Sequence, residues 1–255
     1  MDVVLLAAGL GSRLGALTRG WPKALIPVAG KPLLLHALSF AACLRPSRIV
    51  VVGGFGFALV SDALAGLRTS GTSLADLPVE LVENSAFRDG NLVSLLCART
   101  HLRGDFLLMN VDHIYRDSIA QVVAPEVSEV TAFIDTDRTL GGDDMKVERR
   151  TDGRIAAIAK TLNRFDCGYV GLTRVPKAAL GRYFDQAEAA IAEEGRTIHV
   201  ERILARLAKT DQAPACRDIS GHGWLEVDTP DERAAAEAVL AGGGRDLGRE
   251  GPARS

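Results

Sequence analysis

The stretch that most constrains this chain opens it: VVLLAAGLGSRLGALTRGWPKALIPVAGKPLL, residues 3–34. Its first five residues are apolar without alternation, which suits a strand covered on both faces, as in a parallel sheet. Gly9 and Gly11 then force a turn, and Arg13, Arg19, Lys23 and Lys31 follow with no acidic residue between Asp2 and Asp62. Pro22, Pro27 and Pro32 stiffen the segment. A strand that runs into a basic, glycine-rich loop suits a polyanion such as a nucleoside triphosphate, because backbone N–H groups of the turn can face phosphate oxygens and fixed cations offset their charge.

The spacing departs from two well-known phosphate loops. A dinucleotide fingerprint needs its third glycine at position 14, where Leu14 stands, and an acidic ribose ligand about 20 residues on, where this chain has none. A P-loop needs a glycine five places before Gly30-Lys31, but Leu25 sits there, and Pro32 replaces the hydroxyl residue that would hold magnesium.

Two linked segments match another pattern. Leu6-Ala7-Ala8-Gly9-x-Gly11-Ser12-Arg13-Leu14, then Pro22-Lys23-x-Leu25-x-Pro27-Val28-x-Gly30-Lys31-Pro32-Leu33, resembles the signature of the sugar-phosphate nucleotidylyltransferases. The resemblance implies that Gly9, Gly11, Ser12 and Arg13 wrap a triphosphate bordered by Leu6, Ala7 and Ala8. It also implies that Lys23 reaches the phosphates at the reacting centre. Arg13 and Lys23 are then the catalytic cations, pre-placed where charge builds on phosphoryl oxygens and departing pyrophosphate.

Along the chain, apolar runs at 3–7, 48–52, 79–82 and 105–111 read as strands, separated by helices at 33–43, 58–67 and 91–99. Pro32 is placed as a first helical residue. That alternation implies a mostly parallel, doubly wound sheet. The rhythm then changes. Strands are expected at 130–134, 144–149, 155–159 and 168–172, with a Thr151-Asp152-Gly153 hairpin turn. Helices at 178–193 and 199–208 follow, then a final strand at 224–227. Thr229-Pro230-Asp231-Glu232 reads as a capped helix start, with that helix reaching about 240. The fold expected with the resemblance is α/β: a Rossmann-like doubly wound mixed sheet of the nucleotide-diphospho-sugar transferase type. Residues 1–240 form one nucleotidyltransferase domain in this reading, and 241–255 form a disordered tail without apolar periodicity.

With 47% hydrophobic and 24% charged residues and a formal net charge of -2, the chain gives no sign of wholesale disorder or of nucleic acid as main partner. No run approaches the ~18 apolar residues of a membrane span, and no basic leader stands at the N-terminus. Cys43, Cys97, Cys167 and Cys216 lack zinc spacing and are expected as buried small hydrophobes in a reducing cytoplasm.

Asp112 and Asp228 each follow an apolar strand at its carboxyl end, where open α/β sheets place their ligands. Both positions also suit a solvated aspartate in an ordinary turn. The resemblance assigns them a role: Met109-Asn110-Val111-Asp112-His113-Ile114-Tyr115 and Trp224-x-Glu226-Val227-Asp228-Thr229-Pro230 are similar to the family segments whose aspartates bind Mg²⁺. His113 is expected to be structural or peripheral, and Glu226 to lie on the same side as Asp228 without ligating. On the acceptor side, the resemblance implies contacts from Lys146, Lys160 and Asp166. Asn91 precedes a helix and could reach base or ribose, or simply start the helix.

The implied reaction is magnesium-dependent attack of a phosphomonoester on the α-phosphorus of a nucleoside triphosphate. Asp112-His113-Ile114-Tyr115 and Asp144-x-Lys146-Val147 look most like the CTP:inositol-1-phosphate cytidylyltransferases, whereas Gly90-Asn91-Leu92-Val93-Ser94-Leu95 is similar to segments in enzymes acting on phosphocholine. CTP and a polyol phosphate are therefore the expected substrates. A hexose-1-phosphate acceptor, or a non-catalytic nucleotide-binding regulator on the same fold, are the alternatives.

Overall fold

The computed structural model describes residues 1–242; most of the expected tail, 243–255, lies outside the described residues. The chain begins with β1 (Asp2–Ala7), and the basic loop contains two short 3-10 turns, Ser12–Thr18 and Lys23–Leu25. A two-residue pair follows, β2 (Pro27–Val28) with β3 (Lys31–Pro32), and leads into α1 (Leu33–Cys43). Then come β4 (Arg48–Gly53), α2 (Phe57–Arg68), β5 (Val79–Glu83), α3 (Asn91–Ala98) and β6 (Phe106–Asn110).

These four long strands are the parallel half that the apolar runs predict. Leu6 of β1 lies opposite Val52 of β4 and Asn110 of β6, and Val52 lies opposite Val82 of β5. Side chains alternate across a strand, so β1 feeds both layers of core. Val3, Leu5 and Ala7 pack with Leu34 and Leu38 of α1 and with Leu64 of α2, while Val4 and Leu6 pack with Leu92 and Leu95 of α3. Burial on both faces explains why the run carries no polar residue.

The second half adds β7 (His113–Tyr115), α4 (Ile119–Val123), β8 (Thr131–Asp135), β9 (Lys146–Arg149), β10 (Ile155–Ala159) and β11 (Cys167–Val175). It ends with α5 (Leu180–Glu194), α6 (Glu201–Leu207), β12 (Ala215–Asp218), β13 (Trp224–Glu226) and α7 (Pro230–Ala241). Among the described residues nine strands share one sheet, whose main path runs β10-β9-β11-β6-β1-β4-β5. The long β11 joins the halves: it runs antiparallel to β6, β8 and β9. The sheet is thus mixed, as expected: beyond β6 its strands are parallel, and on the other side of β11 they are antiparallel except for β12, which runs parallel to β8.

Several local expectations need correction. The strand expected at 168–172 is nine residues long, and the apolar pattern gives no sign of β2, β3, β7, α4 or β12. All are short, and two of the strands gain their regularity from partners distant in sequence: β7 from β13, β12 from β8. Pro32 is extended (φ -55°, ψ 145°) and precedes the helix instead of starting it. Only Cys167 is buried; Cys43 is exposed, the other two are intermediate, and all four thiols are unpaired. No helix among the described residues is long and apolar enough to cross a membrane.

The start of α7 follows the expected pattern. The Thr229 hydroxyl accepts from the Glu232 N–H at 3.2 Å, and the Glu232 carboxylate accepts from the Thr229 N–H at 3.0 Å. Thr229→Ala is expected to cost about 1 kcal/mol, measured by urea denaturation; a change near zero would mean that this capping box contributes nothing.

Candidate active site

The site is assembled where β1 and β6 end and where the β7–β13 ribbon begins and ends. Gly11 has φ +66°, and a Cβ there would lie 2.9 Å from Lys23 Cβ. A residue without a side chain is therefore needed for the loop to fold back over Lys23. Leu14 is fully buried and pins the Ser12–Thr18 turn to the core, which leaves Ser12 and Arg13 facing outward. Leu6, Ala7 and Ala8 are buried as well, and Leu6 and Ala7 pack into the two core layers.

Asp112 follows Val111, whose N–H continues the sheet ladder to the Leu6 carbonyl at 3.1 Å. The chain then turns straight into β7, and β7 pairs with β13 so that His113 lies opposite Glu226. One step further, the Val227 N–H donates to the Asp112 carbonyl at 2.9 Å. This ribbon sets Asp112 and Asp228 side by side. Lys23 reaches both: its Nζ donates to Asp112 Oδ2 at 2.7 Å and to Asp228 Oδ1. Arg13 pairs with the other oxygen of Asp228 and lies 3.6 Å from Asp143.

The electrostatics follow from this packing. Burial works against the charge on Lys23, but Asp112 and Asp228 outweigh it and raise its pKa above the ordinary lysine value. Burial likewise opposes ionisation of Asp112, yet Lys23 and His113 hold its carboxyl well below the usual range. Glu226 has no lysine or arginine at hydrogen-bond distance among the described residues, and burial pushes its pKa up to about 7.

His113 is held on several sides. Its Nδ1 lies 2.6 Å from Asp112 Oδ1. Its ring stacks on Trp224 at 5.3 Å and on Tyr115 at 5.7 Å, and Trp224 Nε1 donates to Asp135 at 2.8 Å. This stack fixes the imidazole against the Asp112 carboxylate, and His113 also lines the cavity beside it.

Could the two aspartates hold magnesium? Their oxygens converge on one ammonium, so both already address a single cation position, and they form a hard-oxygen donor set suited to that ion. Among the described residues no group of three or more His, Cys, Asp and Glu side chains is arranged as a metal cage. Magnesium commonly needs only one or two carboxylates, with substrate phosphates and water completing its shell. The residues fit the ion, provided Lys23 turns its ammonium toward the phosphates.

A cavity of about 210 Å³ extends from this centre, and Arg13, Asp112, Asp228, Asn91 and Lys160 line it. Lys146 and Asp166 are placed elsewhere. Lys146 is buried, and its Nζ donates to the carbonyls of Gly141 at 2.7 Å and Lys160 at 2.8 Å. It braces the loop before β9 instead of lining the cavity. Asp166 accepts from the Arg149 N–H at 2.6 Å, outside the cavity lining. Asn91 lines the cavity, but its Oδ1 is taken by the Val200 N–H at 2.9 Å. Asp143, His199 and Glu201 also line it and carry no motif, and Asp144 lines it from within the quoted Asp144-x-Lys146 pattern. They stand in loops and at a helix start, where acids and histidines are commonplace.

With this geometry in place, comparison with known proteins is informative. The family model of the MobA-like NTP transferase domain matches residues 3–210. A bifunctional IPC transferase and DIPP synthase from Aquifex aeolicus is 27% identical over 241 residues, covering 93% of this chain and 51% of the relative. A protein of the same name from Rubrobacter xylanophilus is 32% identical over 257 residues, covering 99% of this chain and 54% of the relative. The chain thus spans about half the length of these curated relatives. Among solved structures, the inositol-1-phosphate CTP transferase from T. maritima superimposes with a TM-score of 0.77 at 19% identity, covering 91% of this chain and 90% of the other. At that identity the likeness shows the fold.

Proposed function

Because the chain belongs to the family of MobA-like NTP transferase domains and so to the nucleotidyltransferase class of enzymes, we propose that it transfers CMP from CTP to a polyol phosphate such as inositol-1-phosphate, releasing pyrophosphate. The observation that carries this reading is Lys23, which reaches both Asp112 and Asp228 beside Arg13 at the carboxyl end of the sheet. The names of the relatives, IPC transferase and inositol-1-phosphate CTP transferase, support the choice of nucleotide and acceptor.

In this reading an acceptor phosphate oxygen attacks the α-phosphorus of the triphosphate. A P–O bond forms there as the bond to the β-phosphate breaks, and the electron pair leaves with pyrophosphate. The acceptor oxygen is already anionic, so no general base is needed. Arg13 and Lys23 offset negative charge on the triphosphate as it shifts toward the leaving group. Asp112 and Asp228 would hold Mg²⁺, which when bound neutralises phosphate oxygens. Lys160, on the cavity wall, is the cation suited to the acceptor phosphate. Four unpaired cysteines suit a reducing compartment, so we place the reaction in the cytoplasm.

The test is pyrophosphate release with Mg²⁺ across CTP, UTP, GTP, ATP and dTTP, each paired with inositol-1-phosphate, glycerol-3-phosphate, phosphocholine and common hexose-1-phosphates. Release confined to CTP with a polyol phosphate is expected. Release with a hexose-1-phosphate and another nucleotide would discard the acceptor assignment. Silence in every pair, with nucleotide still bound, would favour the non-catalytic regulator.

A further inference from the structure

The wall of the cavity away from Lys23 is built by a short segment that docks on the start of α3. Gly90 donates its N–H to the Arg196 carbonyl at 2.8 Å, and the Val200 N–H donates to Asn91 Oδ1 at 2.9 Å. Arg196 Nε donates to Asp89 Oδ2 at 2.6 Å. The approach is so close that a Cβ on Gly90 would lie 1.8 Å from the Ile198 carbonyl oxygen, a contact no side chain could make. Residues 89–91 thus act as a clasp, and the clasped segment delivers His199 and Glu201 to the cavity.

Glu201 is the member of this wall with unspent bonding capacity. Among the described residues no other residue donates a hydrogen bond to its carboxylate. An ionised carboxylate offers about four acceptor positions, so a ligand rich in donors is what this group lacks. Burial raises its pKa in spite of His199, Lys160 and His113, so its charge gains from donors that enter the cavity with the ligand. A cationic ligand would meet the same lysine. The Trp224 ring is not free for a quaternary ammonium: it stacks on His113 and carries the Arg138 guanidinium 4.3 Å from its centroid.

We propose that Glu201 is a specificity-determining residue, accepting hydrogen bonds from hydroxyl groups of a polyhydroxylated acceptor, and that Asn91 positions it. This rests on the transferase reading above and deepens it: recognition of hydroxyls is assigned to a residue outside both signature segments. Asn91 touches the acceptor only through the segment it holds.

The experiment compares wild type, Glu201→Gln, Asn91→Ala and Asn91→Asp in the full chain, with CTP, Mg²⁺ and inositol-1-phosphate. Glu201→Gln is expected to raise the acceptor KM roughly 10- to 100-fold, the loss of hydrogen bonds to a charged group, with kcat and the CTP KM changed little. Asn91→Ala should reproduce the acceptor effect, and Asn91→Asp, which keeps the accepting oxygen for the Val200 N–H, should restore much of it. A residue needed only for folding would lower the active fraction, and with it the apparent kcat, without moving the acceptor KM. An unchanged acceptor KM in Glu201→Gln, with wild type active on inositol-1-phosphate, would overturn this inference and leave the transferase reading standing. Wild type active on phosphocholine and inactive on every polyol phosphate would overturn both.

Discussion

Lys23→Ala is expected to lower turnover by about 10²–10³-fold, the usual loss when one pre-placed donor to developing charge is removed. It should also disturb the resting protein in a recognisable way. Lys23 is 6% exposed and bonded to two carboxylates; without it, Asp112 and Asp228 face each other across a buried gap. Removing one partner of a buried ionic group leaves uncompensated charge and costs about 3–5 kcal/mol. We expect the lower end, because Asp112 keeps 21% of its side chain accessible. Millimolar Mg²⁺ should recover part of that loss in thermal denaturation by supplying the missing cation, while doing little for turnover. A variant that keeps near-normal turnover, or whose stability ignores Mg²⁺, would show that the lysine and the metal do not share these carboxylates.

The second large effect is expected at Asp112. Asp112→Asn preserves shape and the hydrogen bonds to Lys23 and His113 in part, but removes the charge both cations need. Turnover should fall by at least about 10²-fold, and the Mg²⁺ concentration that supports half-maximal nucleotide binding should rise severalfold. Stability should change far less than in Lys23→Ala, because Lys23 keeps Asp228 as a partner. Calorimetric titration of Mg²⁺ with nucleotide separates the outcomes. Unchanged metal dependence would remove Asp112 from the site, and loss of folding would assign it to the structure alone.

The contrast between Lys146 and Lys160 shows what a linear reading can recover. Both lysines border β-strands, and both match positions on the acceptor side of the family. Lys160 lines the cavity, whereas Lys146 spends its ammonium on two backbone carbonyls. Nothing local separates them. The fold does: Lys146 stands in β9, opposite both Ala159 of β10 and Gly168 of β11. Glu201 is the reverse case. No motif marks it, because its place depends on the Gly90 clasp, a contact between backbone segments more than a hundred residues apart.

By itself, the sequence determined the elements whose signals are local. Unbroken apolar runs specify strands covered on both faces, glycines and prolines place the basic loop, and the Thr229-Pro230-x-Glu232 pattern starts α7 where its capping bonds form. It also marked Arg13, Lys23, Asp112 and Asp228 as the residues to watch. Only the tertiary structure decided that they meet. Lys23 and Asp228 are 205 residues apart, and what joins them is the β7–β13 ribbon, two three-residue strands too short to be stable alone. Such pairing draws its stability from the core beneath it, and so leaves no periodicity in either segment to read.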